Sequence, residues 1–251
     1  MHKNESNQIN HEVSILDRVI NEIYEKNAYG IHIKDFKNFV EELKSAKPNE
    51  KNNDFPDFLT PNGFIEHFQI TSSFENKKGS PHKISMMKQQ REHDLRLENM
   101  NEDQNKISTD NMYKNHSHIQ LVNSFKKNFE KHLERLKSFE GKKDESIFLI
   151  EYDDINALSM CENIDIDLEE GILTGDIKIN PEFFHNYRLS RDKELLKYIS
   201  GFSSDLKYLI FVSNDIEIIA TKKIDYFTNF IPNNYLCAEN TTFSVIRTTR
   251  F

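Results

Sequence analysis

Five residues in the run NDFPDFLTPNGFIEHFQITSS, at 53–73, have side chains and spacing suited to chemistry: Asp54, Asp57, Glu66, His67 and Gln69. Pro61, Asn62 and Gly63 lie between the two acidic segments. Proline presets one turn dihedral and glycine supplies a left-handed position, so the spacing predicts a hairpin of strands 55–60 and 64–71. A two-residue loop sets Thr60 opposite Gly63 and Asp57 opposite Glu66, with β-carbons about 5 Å apart on one face. Two carboxylates that close repel unless they share a proton or hold a cation, and a hard cation such as Mg²⁺ suits an all-oxygen set. A bulge at Gly63 sets Asp57 opposite His67 instead. Both registers stand on the sequence alone.

The second strand, GFIEHFQIT, is largely apolar yet carries Glu66, His67 and Gln69. Burying these without partners is costly, so they require a site, a hydrogen-bond network or a solvated face. Glu151, within the apolar run IFLIEYDD, poses the same question. It joins the hairpin site if the two strands are neighbours, or else pairs with a lysine. Lys77-Lys78-Gly79-Ser80 follows the hairpin and offers phosphate contacts, although a solvated turn is the plainer reading. His116 and His118 read as structural or capping residues, and His93-Asp94 as an exposed pair. The cluster Glu162, Asp165, Asp167, Glu169 and Glu170 lacks the spacing of a calcium loop and reads as a charged face.

Around these residues the pattern predicts helices at 11–26, 34–44 and 118–139. A buried strand is expected at 147–152 and a short one near 171–179. A helical turn starts at Pro181, and another helix covers 192–199. Strands at 208–213 and 216–221 turn back on each other through Asn214-Asp215. A last strand is expected near 242–246. Residues 72–115 read as a polar, mobile insertion with one sparse helix near 84–98. The order implies an α/β fold: one domain, 1–251, with a mixed central sheet flanked by helices. The strands at 64–71 and 147–152 are joined through the long helix as a crossover unit.

The chain has 251 residues, 37% hydrophobic and 29% charged, with a net charge of −8. That balance argues against passive coating of nucleic acid, though not against a local basic patch. Cys161 and Cys237 have no CxxC partner, which fits reduced thiols. The polar N-terminus and the lack of any run near about 18 apolar residues point away from secretion and membrane spanning, and so to the cytoplasm.

The hairpin resembles that of the PD-(D/E)XK nuclease superfamily, in which a helix precedes the hairpin and strand carboxylates hold Mg²⁺. The resemblance implies a restriction-endonuclease-like core and a Mg²⁺- or Mn²⁺-dependent phosphodiesterase acting on DNA. In it Pro56-Asp57 supplies the first motif and Glu66 the second acid, and a helix-one carboxylate, Glu22 or Glu25, completes the metal set. Phe68 stands where the family has lysine, so Gln69 or a basic residue from Lys77, Lys78 and Lys83 takes that role. Gln89 or Gln90 suits the helper position. DNA contact then falls to Lys77, Lys78, Lys83 and the Lys-rich stretch that follows. The missing lysine, the acidity and the long polar insertion also fit an inactive relative, or a non-catalytic protein that binds a protein partner.

Overall fold

In a computed structural model, the described residues are 2–49, 55–73, 91, 116–154, 157–161, 184–229, 231 and 236–239, with side chains described except at 2–7, 161, 184–185 and 236–239. The expected elements near 84–98, 171–179 and 242–246 lie outside this set, apart from Arg91. Helix α1 (His2–Glu22) leads to β1 (Ala28–Tyr29), α2 (Ile33–Lys44), β2 (Lys47–Pro48), β3 (Phe58–Leu59) and β4 (Gly63–Ile70). Next come α3 (His118–Ser138), β5 (Glu145–Tyr152), β6 (Leu158–Cys161) and β7 (Phe184–Asn186). The remainder is α4 (Lys193–Ser200), β8 (Tyr208–Val212), β9 (Ile216–Ala220), α5 (Ile224–Thr228) and β10 (Leu236–Glu239).

Seven strands form a mixed sheet in the order β1-β9-β8-β5-β4-β3-β2, and β10-β6-β7 form a second, antiparallel sheet. The fold class is α/β, with the central sheet flanked by helices on both faces. β5 lies parallel to both β4 and β8, and its residues from Ser146 to Tyr152 are all buried. This is what the unbroken run SIFLIEY implies for a strand covered on two sides. α3 connects β4 to β5 as the predicted crossover. Its N-terminus is capped by Ser117, whose side chain accepts from the Gln120 N–H at 3.2 Å.

Side-chain alternation divides the interior into two cores. Phe64, Phe68 and Phe148 pack with Phe125, Phe129 and Leu133 of α3 and with Leu196 of α4. Ile65, Ile147, Leu149 and Ile210 pack with Leu16 and Val19 of α1 and with Phe39 and Leu43 of α2. Even-numbered positions of β4 therefore face α3, and odd-numbered ones face α1.

The hairpin at β3 and β4 adopts the two-residue register. Phe58 pairs with Ile65 and Leu59 with Phe64, and the Thr60 N–H donates to Gly63 O at 3.0 Å. Strand pairing by β3 covers only two residues, shorter than the expected 55–60; at the next position the Asp57 side chain, not its backbone, takes the His67 N–H. The β8–β9 hairpin forms as expected, with Val212 opposite Ile216. Phe184–Asn186 is a strand pairing with β6, and the rest of the helical turn expected from Pro181 lies outside the described residues. Among the described residues, no helix is long and apolar enough to cross a membrane.

Candidate metal centre

The polar residues of β4 separate by parity. His67 and Gln69 point toward α1, and Glu66 points toward α3. β4 and β5 run in register so that Gln69 lies beside Glu151, and His67 beside Leu149. Glu151 shares the face of Ile147 and Leu149, so its carboxylate emerges next to His67 and Gln69 at the edge of the α1 core. α1 crosses this point and contributes His11.

Four side chains therefore converge. Glu151 Oε2 lies 2.9 Å from His11 Nε2, 3.2 Å from His67 Nε2 and 2.8 Å from Gln69 Nε2. Gln69 Nε2 is 3.0 Å from His11 Nε2. One ligand atom each from His11, His67 and Glu151 lies within 4.8 Å of the others, a spacing that can hold a metal ion. His67 and Glu151 are buried, whereas His11 and Gln69 reach solvent. Burial alone would raise the Glu151 pKa, but hydrogen bonds from His67, Gln69 and His11 pull it down to about 2. The carboxylate is thus ionised at neutral pH and is the natural anionic ligand. Two imidazoles with one carboxylate and an open side is a donor set used by divalent transition metals.

Asp57 and Glu66 stand beside this centre. Because β3 begins only at Phe58, β4 beyond Ile65 has no strand partner on that edge among the described residues, and Asp57 occupies it. Asp57 Oδ2 accepts from the His67 N–H at 2.7 Å, and the Asp57 N–H donates to Glu66 Oε2 at 3.2 Å. Glu66 Oε1 is 2.6 Å from His132 Nδ1 and 3.7 Å from Arg135 Nη1. Burial, with the adjacent Glu66 carboxylate, raises Asp57 to about 7. Burial raises Glu66 to about 7 against the pull of Arg135. Burial lowers His132 to about 4, helped by Arg135. Both carboxyls are thus pushed toward their protonated forms, and Glu66 lies against a histidine that burial keeps neutral.

The placement of the expected ligands follows. Asp57 and Glu66 are neighbours, as the two-residue register requires, but their oxygens are engaged by the backbone, by His132 and by each other's surroundings. Gln69 lies at the convergence on the opposite face. Glu22 is exposed at the end of α1 and pairs with Arg18 at 3.0 Å, so it does not join the hairpin acids. The α1 acid whose charge bears on both Asp57 and Glu66 is Glu12. Glu12 sits four and seven residues before Leu16 and Val19, on the buried stripe, and is itself buried. That spacing was a readable signal for Glu12, and none in the sequence marked His11. Glu25 begins a short 3₁₀ turn and is exposed. Phe68, at the family's lysine position, is buried and stacks on His132 with ring centroids 4.5 Å apart. Lys77, Lys78, Lys83, Gln89 and Gln90 lie outside the described residues, as do Asp54, His93-Asp94 and the acidic cluster at 162–170.

The two histidines expected to be structural have partners. His116 Nδ1 is 2.7 Å from Ser72 Oγ, in a network with Asp154 and Tyr152 that ties the start of α3 to the ends of β4 and β5. His118 Nε2 is 2.7 Å from Asp192 Oδ2. No protein-family model, curated protein or solved structure matches this chain.

Proposed function

We propose that this protein is a divalent-metal-dependent phosphodiesterase acting on nucleic acid, on a divergent restriction-endonuclease-like core. The observation that carries the reading is the convergence of His11, His67 and Glu151 from helix one, the second hairpin strand and its parallel neighbour. The family resemblance calls for ligands from the first helix and both hairpin strands; here the first helix and the second hairpin strand each contribute one, the first hairpin strand contributes none, and the carboxylate comes from β5. The residues differ from the expected Asp57, Glu66 and Glu22, and imidazoles replace two carboxylates.

A cation held there supplies an activated water and positive charge for a phosphoryl oxygen. The chain's own contributions are distinct. Glu151 offers its ionised carboxylate, His67 is fixed by burial, and His11 and Gln69 line the open side. Asp57, bonded to the His67 backbone, is the group that accepts or returns a proton at the rim.

The test is hydrolysis of plasmid DNA and of bis(p-nitrophenyl) phosphate with Mn²⁺ or Mg²⁺. Glu151→Gln and His67→Ala should lower the rate by at least about 100-fold while retaining the far-ultraviolet circular dichroism of the wild type. Equal rates in wild type and variants reject the assignment. Metal binding without any hydrolysis supports the second reading, a non-catalytic relative, which is favoured by Phe68 standing in the lysine position.

A further inference from the structure

We propose that Gln69 is the fourth protein ligand of this centre, through its amide oxygen, and that the centre selects a six-coordinate first-row transition cation such as Mn²⁺ over Mg²⁺ and Ca²⁺. This rests on the metal-centre reading above.

Three nitrogens approach one carboxylate oxygen, and two of those nitrogens, Gln69 Nε2 and His11 Nε2, are also 3.0 Å from each other. If His11 carries its hydrogen on Nε2, it and the Gln69 amide both donate to Glu151, with their nitrogens side by side at 3.0 Å. If His11 Nε2 is bare, it accepts from Gln69 and sets its lone pair against the carboxylate at 2.9 Å. The amide can be turned end for end, since its nitrogen and oxygen occupy nearly the same shape. The Gln69 oxygen then meets the carboxylate oxygen at the 2.8 Å now spanned by the amide nitrogen. Without a cation the three nitrogens can all donate to the Glu151 carboxylate; with one, the same four side chains can each turn a lone pair toward it. A cation among them would be met by all four side chains: both imidazoles present lone pairs, the amide presents its oxygen, and the carboxylate faces positive charge.

The donor set points to the kind of cation. Ligands at right angles on bonds of about 2.1 Å lie about 3.0 Å apart, whereas a tetrahedral set on the same bonds lies about 3.4 Å apart. The contacts of 2.8, 2.9, 3.0 and 3.2 Å are of ordinary hydrogen-bond length and lie near the octahedral edge, so the four side chains can take adjacent positions without moving apart. Mg²⁺ and Ca²⁺ prefer oxygen donors, and only one carboxylate is on hand. Imidazole suits the later first-row metals. The entry side is open, because the His11 side chain is 43% exposed while His67 and Glu151 are 5% and 9% exposed. Water or substrate therefore has access to the two remaining positions.

The experiment uses the full chain stripped with EDTA. Calorimetry with MnCl₂, CoCl₂ and MgCl₂ gives affinities, and the visible spectrum of bound Co²⁺ reports coordination. One Mn²⁺ or Co²⁺ should bind per chain, with Mg²⁺ at least about 100-fold weaker. Gln69→Leu should weaken Mn²⁺ by about 10-fold or more and change the Co²⁺ bands, while Gln69→Glu keeps or tightens binding. Gln69 is exposed, so both variants should fold. Unchanged affinity and spectrum in Gln69→Leu, with wild-type binding intact, overturn the ligand role of Gln69 but leave the centre standing. Equal affinity for Mg²⁺ and Mn²⁺ overturns the selectivity. Failure of wild type to bind any of the three cations overturns the centre itself, and the proposed function with it.

Discussion

Asp57 and Glu66 are held at about 7 in the folded protein, against about 4 in an unfolded chain. Between those values the folded state keeps protons that the unfolded state releases. Their contribution to stability is therefore fully present below about pH 4, declines as pH rises through the window, and is gone above about 7. Urea unfolding in EDTA should show the protein losing stability from pH 5 to pH 8. The double variant Asp57→Asn/Glu66→Gln should flatten that slope, because amides keep the hydrogen-bonding shape without titrating. An unchanged slope would place the protons elsewhere. Glu66→Ala should do more harm than Glu66→Gln, since it strands the Asp57 N–H and His132, by roughly 1–3 kcal/mol.

At the scale of elements, the centre depends on β4 and β5 lying in one register, and that register begins at Gly63 beside Glu145. A β-carbon on Gly63 would stand 2.2 Å from Glu145 O, a backbone atom that can yield only if the strands part. Gly63→Ala should therefore destabilise the protein by about 1–3 kcal/mol through overpacking and displace Gln69 from Glu151. Denaturation midpoints, together with Mn²⁺ affinity, would detect both effects. A second element-level tie lies far from the centre. Glu217 of β9 is fully buried and bonds Arg188 Nε at 3.1 Å, and Arg188 Nη2 reaches Asn27 at 3.0 Å and Tyr29 at 3.3 Å. This pair links β9 to the segments before and within β1. Arg188→Met leaves a buried carboxylate uncompensated and should destabilise by about 3–5 kcal/mol in chemical denaturation. A loss below about 1 kcal/mol would mean that Ser190 alone satisfies Glu217.

For the whole molecule, the three ligands are drawn from positions 11, 67 and 151, so a cation bound there joins the N-terminal helix to the middle of the central sheet. Binding to the folded state alone stabilises by mass action, about 2.7 kcal/mol at one hundred times the dissociation constant. For a chain of this size that corresponds to a rise in Tm of about 5–10 °C. Differential scanning calorimetry with saturating Mn²⁺ should show such a rise in wild type and none in His67→Ala. A rise of equal size in the variant would put the cation elsewhere.

The sequence by itself determined what local spacing controls. The apolar periods marked α2, α3, β5, β8 and β9, because a helix or a doubly covered strand must repeat its buried face along its own length. Composition and turn chemistry likewise marked the hairpin at 61–63. Solvation physics required partners for Glu66, His67, Gln69 and Glu151 before any partner was in view. Only the tertiary structure decided which partners those are. Two hairpin registers were equally open in sequence, and hydrogen bonding between β3 and β4 selected one. The alternation of β4 then sent Glu66 to His132 on one face, and His67 with Gln69 to Glu151 and His11 on the other. His11 carries no signal in its surroundings along the chain. It reaches the centre because α1 packs on the sheet at one rotation and one height. Contacts between residues 82 and 140 positions apart are set by how whole elements dock, and local periodicity does not encode that.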